Sequence, residues 1–187
     1  MAEAETILLE IVTPTGIALS EHVNDVTAPS VAGEFGVFPG HLPLLAALRT
    51  GLVTYHKGGK EYQFAVAHGF VEVAHDTALL LTDRFAKKED VDVVKVRLRL
   101  KDVDNELDHW QGDLTDPRRK ELIEEEQWLA TQLELIGDPP PPTVREDTRF
   151  LAQHAEAPSV QEMVEGQAPD QSLTDHKRSG PSTSGPS

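Results

Sequence analysis

Apolar residues in the first half of the chain fall in short runs that are separated by turn residues. The run at Ile7–Thr13 is rich in leucine and β-branched residues, and it ends at Pro14-Thr15-Gly16, which is a turn signal. Residues 17–26 then resume an extended pattern. This arrangement predicts two short strands joined by a tight turn.

The clearest pattern is the hairpin predicted for residues 52–67. Gly58 and Gly59 at its centre supply the two positive-φ positions that a two-residue primed turn needs. The turn fixes the register of the two strands, so that the apolar pairs share one face and the polar pairs the other. The predicted partners are Lys57 with Lys60, His56 with Glu61, Tyr55 with Tyr62, Thr54 with Gln63, and Val53 with Phe64.

Two more short strands are predicted after Gly69. They lie at residues 70–73 and Thr77–Thr82, and His75 and Asp76 separate them. Together with the preceding strands they make residues 1–86 an antiparallel β-sandwich or flattened barrel with one modest core.

The hydrophobic period changes to that of a helix at Lys87. Apolar residues then recur every three or four positions, first at Val93, Val96, Leu100, Val103, Leu107 and Trp110, and later at Leu122, Leu129, Leu133 and Ile136. Asp116 is the predicted N-cap of the second helix, Pro117 its first residue and Gly137 its end. Two such helices with a short connection predict an antiparallel hairpin over residues 87–137, which needs the sandwich or a partner to cover it.

Proline dominates the start of the remaining segment. Residues 139–142 are all proline, and the end of the chain is rich in serine, glycine and proline. This composition predicts a largely disordered tail over residues 138–187, with a capping-box sequence at 159–162 as a candidate helix. The predicted fold class is therefore α+β, with a sandwich (1–86), a two-helix hairpin (87–137) and a tail (138–187).

Composition narrows the range of functions. The 32 acidic residues outnumber the 17 basic ones, and the net charge of -15 argues against binding to nucleic acid or to an anionic membrane. The absence of cysteine excludes a thiol nucleophile, a thiolate metal site and disulfides. Neither a signal peptide nor an apolar run of the roughly 18 residues that a membrane span needs is present, so we expect no direct membrane insertion.

Candidate catalytic and metal-binding residues are few. His41, His56, His68 and His75 fall on separate predicted elements and lack the spacing of a metal site. Nucleotide-binding loops and the nucleophile elbow are also missing from the sequence, so we expect no metal and no cofactor. His75 and Asp76 with a serine or threonine leave a small hydrolase open, because triads are assembled in space. The residues alone favour an interaction module over an enzyme.

Residues 33–43 contain three glycines and two prolines, which predict a loop with one defined path. The sequence Gly-Glu-Phe-Gly-Val-Phe-Pro-Gly-His-Leu-Pro-Leu at 33–44, with Val-Thr-Pro-Thr-Gly at 12–16 before it and Gly-Phe-Val-Glu-Val at 69–73 after it, resembles the epsilon subunits of F-type ATP synthases. The resemblance runs in order from Ile7 to about Gly137.

The resemblance implies a ten-strand β-sandwich followed by an α-helical hairpin, and a role that is mechanical and regulatory instead of catalytic. In this family the sandwich lies at the foot of the central stalk and binds the gamma subunit and the polar loops of the c-ring. It turns with them, so that ion flow is coupled to ATP synthesis. The resemblance also implies a peripheral location on the cytoplasmic face of the bacterial inner membrane.

Two residues of the 33–44 motif are candidate contact residues by resemblance. Glu34 matches the family position near the c-ring loops, and His41 matches a position near gamma. Both also have structural explanations, Glu34 as a solvated loop residue between glycines and His41 as a cap on the following turn. We expect Phe35, Val37 and Phe38 to pack in the core or at its rim.

The helical hairpin departs from the family members that bind ATP. Their Ile/Leu-Asp-x-x-Arg-Ala segment corresponds to residues 91–96, where Lys95 replaces the arginine and lacks its bidentate fork. The second helix carries carboxylates where those members carry arginines, at Glu121, Glu124, Glu125 and Glu126. Carboxylates near a triphosphate oppose binding, so we expect weak or no ATP binding, with Asp92 acting in the first helical turn.

The same charges bear on regulation. In the family the hairpin can extend along gamma and inhibit ATP hydrolysis, partly through basic helix residues that meet an acidic segment of the beta subunit in the catalytic alpha/beta head. The candidate regulatory residues here are Lys95, Arg97, Arg99 and Lys101. The glutamates of the second helix would repel such a target, so we expect inhibition that is weaker or that uses the tail. A free-standing β-sandwich adaptor is the alternative function.

Overall fold

The computed structural model of the chain describes residues 6–142, and the candidate helix at 159–162 lies outside them. The described part contains ten strands, a short 3-10 turn at Lys88–Asp90 and two α-helices. The strands are β1 (Ile7–Thr13), β2 (Gly16–Val23), β3 (Asp25–Ser30), β4 (Gly33–Val37), β5 (Leu44–Leu48), β6 (Gly51–Lys57), β7 (Lys60–Val66), β8 (Gly69–Ala74), β9 (Thr77–Thr82) and β10 (Phe85–Lys87). The helices are α1 (Val93–Asp108) and α2 (Pro117–Leu135).

The ten strands form one continuous sheet that folds into two layers. The strand order is β10-β7-β6-β3-β5-β8-β9-β1-β2, and β4 pairs with β3. The ladder between β3 and β5 consists of the pair Ser30 and Leu48, so the sheet changes layer at this point. The predicted antiparallel sandwich is confirmed, with one parallel pair, β1 and β9, inside it.

Alternating side chains of both layers fill the core of the sandwich. On β1, Ile7, Leu9 and Ile11 point inward and are at most 1% exposed. Their partners from the other strands include Val23, Val26, Val37, Val53, Val66, Val71 and Leu80. Burial of these β-branched and leucine side chains is the main source of stability in this part of the chain.

The register predicted for the β6–β7 hairpin is confirmed at every pair. Tyr55 lies opposite Tyr62 and Val53 opposite Phe64. Gly58 and Gly59 both have positive φ, at 60° and 75°. The rings of Tyr55 and Tyr62 stack with their centroids 5.1 Å apart.

The prediction of a loop over residues 33–43 is wrong for its first five residues. Gly33–Val37 forms β4, which pairs antiparallel with β3. The turn before it is closed by Ser30 Oγ, which donates to the Gly33 carbonyl at 2.7 Å. Pairing with β3 therefore overrides the local glycine signal, because strand formation depends on neighbouring strands more than on propensity. The irregular segment is confined to residues 38–43.

The helix ends are set by the residues that the sequence indicated. The Asp116 carboxylate accepts a hydrogen bond from the Arg118 N–H at 2.8 Å, and Pro117 is the first helical residue. After α2, Gly137 takes a φ of 83° and its N–H donates to the Glu134 carbonyl at 2.9 Å. This is the Schellman geometry that ends many helices.

The two helices pack against each other through their apolar stripes. Val103 and Leu122 are fully buried at the centre of this contact, and Trp110 and Ile136 lie partly buried at its edges. The hairpin also rests on the sandwich, because Leu135 forms a second cluster with Ala65 and Ala86. Within residues 6–142, neither helix has the length and apolar character needed to cross a membrane.

Candidate partner-binding site

Turns gather at two opposite ends of the sandwich. The Pro14 end is formed by the turns after β1, β3, β5, β7 and β9, and the His75 end by the connections after β2, β4, β6 and β8. Glu34 lies on β4 opposite Pro29, close to the Pro14 end. His41 lies in the 38–43 segment at the His75 end, where the Asp76 carboxylate accepts the Gly40 N–H at 2.7 Å. The two candidate contact residues therefore lie at opposite ends of the sandwich.

One row of apolar side chains runs across the outer face of the layer that contains β5, β8, β9, β1 and β2. We call it the outer row, and it consists of Ala47, Phe70, Leu81, Val12 and Ile17, each paired with the next by strand register. A register shift between Ile11 and Val12 brings Ile17 into the row. Phe70 is 57% and Ile17 is 69% exposed. Such an exposed apolar stripe is typical of a protein–protein contact surface.

A shallow cleft runs beside the outer row at the Pro14 end. It has a volume of about 460 Å³, and Phe70, Leu81 and Pro14 line it. At its rim, His68 Nε2 lies 2.8 Å from an Asp83 carboxylate oxygen, and both side chains are more than half exposed. The cleft offers apolar walls with a polar edge, which is the composition of a contact surface with a rim.

Glu34 is exposed at the Pro14 end. The neighbouring turn between β3 and β4 carries Val31, which is 73% exposed. Glu34 thus presents a carboxylate beside an exposed apolar residue, on a strand and not on the solvated loop that one interpretation of the sequence offered.

His41 belongs to a tight turn at the His75 end. Its N–H donates to the Phe38 carbonyl at 3.0 Å, and its ring Nδ1 lies 2.7 Å from the Leu42 carbonyl oxygen. Phe38 and Leu42 beside it are 57% and 79% exposed. Of the three motif residues expected in the core or at its rim, Val37 is buried, Phe35 is partly buried against the core, and Phe38 faces solvent.

His75 and Asp76, the candidate residues of a hydrolase, form a turn and make structural hydrogen bonds. His75 and Asp76 both have positive φ, 51° and 54°, and they form the turn between β8 and β9. The Asp76 carbonyl accepts the Leu8 N–H at 2.8 Å, in addition to the carboxylate contact with Gly40. These bonds hold the N-terminal strand and the 38–43 segment in place.

Among residues 6–142, no group of three or more His, Cys, Asp or Glu side chains is arranged to hold a metal ion. The histidine with the best-defined environment is His56, whose Nδ1 lies 2.7 Å from an Asp25 carboxylate oxygen, with Glu61 at 3.6 Å from Nε2. The hydrogen bond to Asp25 raises the pKa of His56, and burial partly opposes it.

The four basic candidates on α1 have different partners. Lys95 contacts Asp92, the N-cap of the same helix, at 3.1 Å. Arg99 makes two bonds of 2.7 Å to Glu125 on α2, and Arg97 bonds to Asp138 beyond α2. Lys101 is exposed beside them. Asp92 lies at the start of α1, where a role in the first helical turn was expected. Its carboxylate accepts a hydrogen bond from the Lys95 N–H at 3.2 Å, and this bond lowers the pKa of Asp92.

The glutamates of α2 are engaged in contacts. Glu121 lies 3.3 Å from Arg118, Glu124 lies 3.7 Å from Lys120, and Glu125 is held by Arg99. Glu126 is buried, at 5% exposure. The second helix therefore presents fewer unpaired carboxylates than its sequence suggests.

Sequence reasoning missed the outer row. The signal was present, because Ala78-Leu79-Leu80-Leu81 on β9 is apolar without alternation, and such a run indicates a strand covered on both faces. Recognising the row also requires the register of β1, β2, β5, β8 and β9 together, which no local pattern supplies.

Comparison with known proteins agrees with this arrangement. Residues 6–88 match the family described as ATP synthase, Delta/Epsilon chain, beta-sandwich domain. The ATP synthase epsilon chain 2 of Syntrophotalea carbinolica is 41% identical over 97 residues, which cover 52% of this chain and 70% of that protein. The ATP synthase epsilon chain of Citrifermentans bemidjiense is 38% identical over 104 residues, which cover 56% of this chain and 75% of the relative.

A solved structure shows the same fold. It is the Euglena gracilis mitochondrial ATP synthase, OSCP/F1/c-ring in rotational state 1, in which one chain matches with a TM-score of 0.53 and 22% identity, over 81% of this chain and 83% of the other. The sandwich, the hairpin and the sequence relatives together define the class: this chain belongs to the ATP synthase epsilon chain family. It is accordingly an accessory stalk subunit of that complex and not its catalytic subunit, and the alternative of a free-standing adaptor is set aside.

Proposed function

We propose that this chain is the rotor subunit at the foot of the central stalk, that it binds gamma and the c-ring through its sandwich, and that it couples ion flow to ATP synthesis. In this proposal residues 1–86 make the stalk contacts, and residues 87–137 act as a separate regulatory unit. The complex is peripheral to a membrane, and we place this subunit on the cytoplasmic face of a bacterial inner membrane.

The observation that carries the proposal is the outer row. Phe70, Leu81 and Ile17 leave three large apolar side chains in water unless a partner covers them. At the outer row this layer is apolar on its outer face as well as on its core face, as expected where a sheet packs on its own core and on another subunit. Gamma is the partner that we assign to this face and to His41, and the c-ring loops are the partner that we assign to Glu34.

The test is recovery of the native enzyme by the tagged full chain. Replacing Phe70 and Leu81 with serine removes apolar contacts that are each typically worth 1 kcal/mol or more at the centre of an interface, so we expect recovery of gamma to fall at least about tenfold. The matched control replaces Thr54 and Gln63, which face outward on the other layer, with serine. Equal recovery of gamma by both double variants would remove the outer row from the proposal.

The same preparation tests the two contact residues. The chain has no cysteine, so Glu34→Cys and His41→Cys each introduce the only thiol of this subunit. A thiol cross-linker is expected to join position 34 to the c-ring and position 41 to gamma, because the two residues lie at opposite ends of the sandwich. Cross-linking of both positions to one partner would contradict the assignment.

A further inference from the structure

In the folded hairpin, two basic residues of α1, Arg97 and Arg99, form ion pairs with carboxylates of the hairpin and the residues just after it. Arg99 on α1 donates through Nε to Glu125 Oε1 and through Nη2 to Glu125 Oε2, both at 2.7 Å. This fork-to-fork geometry is the strongest form of a surface ion pair, because both bonds are charge-assisted and their directions are fixed. Glu125 belongs to α2, so the pair joins the two helices.

The environment of this pair strengthens it. The Glu125 side chain is 24% exposed and that of Arg99 is 43% exposed, so water screens the pair less than it screens contacts between fully exposed groups. The bond from Arg99 lowers the pKa of Glu125, and the same bond raises the pKa of Arg99. Both groups therefore stay charged, and paired, at neutral pH.

Two further ion pairs join α1 to other parts of the hairpin. Arg97 donates through Nε to Asp138 Oδ2 at 3.0 Å, and its Nη2 contacts the same oxygen. Asp138 is the third residue after the end of α2, where the Schellman turn directs the chain back toward α1. Near the connection between the helices, Glu106 on α1 lies 3.6 Å from Arg118 on α2.

We propose that the ion pairs of Arg97 and Arg99 form an intramolecular latch, in which the carboxylates of Glu125 on α2 and of Asp138 beyond α2 bind these two arginines of α1 while the hairpin is folded. The basic surface formed by Arg97 and Arg99 then becomes available to an acidic partner only after the helices separate. This inference deepens the proposed function, since it rests on the hairpin being the regulatory unit. It also gives α2 a role that its sequence does not indicate. Glu125 competes with the acidic target for Arg99, in addition to repelling that target.

The latch is tested on the full-length chain with a matched pair of variants. Glu125→Gln removes the charge that holds Arg99, whereas Glu124→Gln makes the same change one residue earlier, at a side chain that pairs within α2 with Lys120. Amide hydrogen exchange at Val103 and Leu122, which are fully buried between the helices, reports how often the hairpin opens. We expect about fivefold faster exchange in Glu125→Gln and wild-type rates in Glu124→Gln.

Val53 in the sandwich core serves as the internal reference, because its exchange should not change in either variant. The exchanged pair Arg99→Glu with Glu125→Arg restores an ion pair of opposite polarity, so slow exchange at Val103 and Leu122 is expected to return. Equal exchange in Glu125→Gln and Glu124→Gln, or failure of the exchanged pair to restore slow exchange, would overturn the latch.

A second measurement separates the latch from the function on which it rests. In the assembled enzyme, Glu125→Gln is expected to inhibit ATP hydrolysis more strongly than Glu124→Gln, because released arginines can reach an acidic target. If exchange accelerates as expected while hydrolysis stays the same, the latch stands and the inhibitory role of the hairpin is lost. If the chain fails to recover gamma at all, the proposed function fails while the exchange result is unaffected.

Discussion

Gly69 begins β8 at the Pro14 end, and it has no room for a side chain. A Cβ at this position would lie 1.9 Å from the carbonyl oxygen of Leu81 and 3.0 Å from the Thr82 Cα. Both neighbours are backbone atoms, so no rotamer change relieves the contact. Gly69→Ala therefore requires β8 and β9 to move apart at the point where Gly69 pairs with Thr82.

Thr82 resists that movement. Its buried hydroxyl lies 3.0 Å from the Ala67 carbonyl oxygen, 3.3 Å from that of His68 and 3.1 Å from that of Arg84. These contacts connect the turn before β8 with the turn after β9, so a shift of one strand disturbs both. We expect Gly69→Ala to lower the free energy of unfolding by about 3 kcal/mol, the upper part of the range for overpacked sites.

The measurement is urea unfolding of the full chain followed by circular dichroism, together with the melting temperature, which should fall by about 12 °C. Gly36→Ala is the matched control, because the Cβ there meets only the ring of Phe38, at 3.2 Å, and that ring is exposed and free to move. Alanine should be neutral or up to about 1 kcal/mol stabilising in this strand. Equal stability of the two variants would refute the argument from close approach at Gly69.

Two further predictions concern single contacts. The hydrogen bond to Asp25 is the main cause of the raised pKa of His56, so the stabilisation from this contact is fully present below pH 6.5 and is lost as the pH rises through the folded pKa. NMR titration of His56 should show the raised pKa, and Asp25→Asn should return that pKa towards 6.5. Asp116→Ala removes the N-cap bond to Arg118, so the free energy of unfolding should fall by about 1 kcal/mol in urea titration.

Local chemistry made part of the fold predictable. The pair Gly58 and Gly59 fixes the β6–β7 register because a two-residue turn leaves no freedom in strand alignment. The ends of α2 follow from Asp116, Pro117 and Gly137 in the same way, since each cap is satisfied within a few residues. In each case the partners are close in sequence, so the sequence itself contains the interaction.

The remaining features depend on strand pairings that no local sequence signal indicates. Val37 pairs with Val26, and the register continues to the pair of Gly33 with Ser30. These pairings with β3 make a strand, β4, of a glycine-rich segment. Leu81 pairs with Val12 in the parallel ladder of β1 and β9. That contact assembles the outer row from two strands whose paired residues are about 69 positions apart in the chain. The turn between β3 and β4 is Val31-Ala32, which is not one of the typical two-residue hairpin sequences, and several other strands lie between the partners β1 and β9.

The charges of the hairpin show why counting residues misjudges a helix surface. Treated as a sequence, Glu121, Glu124 and Glu125 form an acidic face that repels an acidic target, and the expected result is weak inhibition. In the folded hairpin Glu125 instead neutralises Arg99 across the helix interface. In the proposed latch, the repulsive glutamates and the basic stretch on α1 belong to two states of the same hairpin, open and closed. The free energy needed to separate Arg99 from Glu125 then determines which state a partner meets. The latch that we propose therefore makes inhibition depend on the stability of the closed hairpin and not on the net charge of α2.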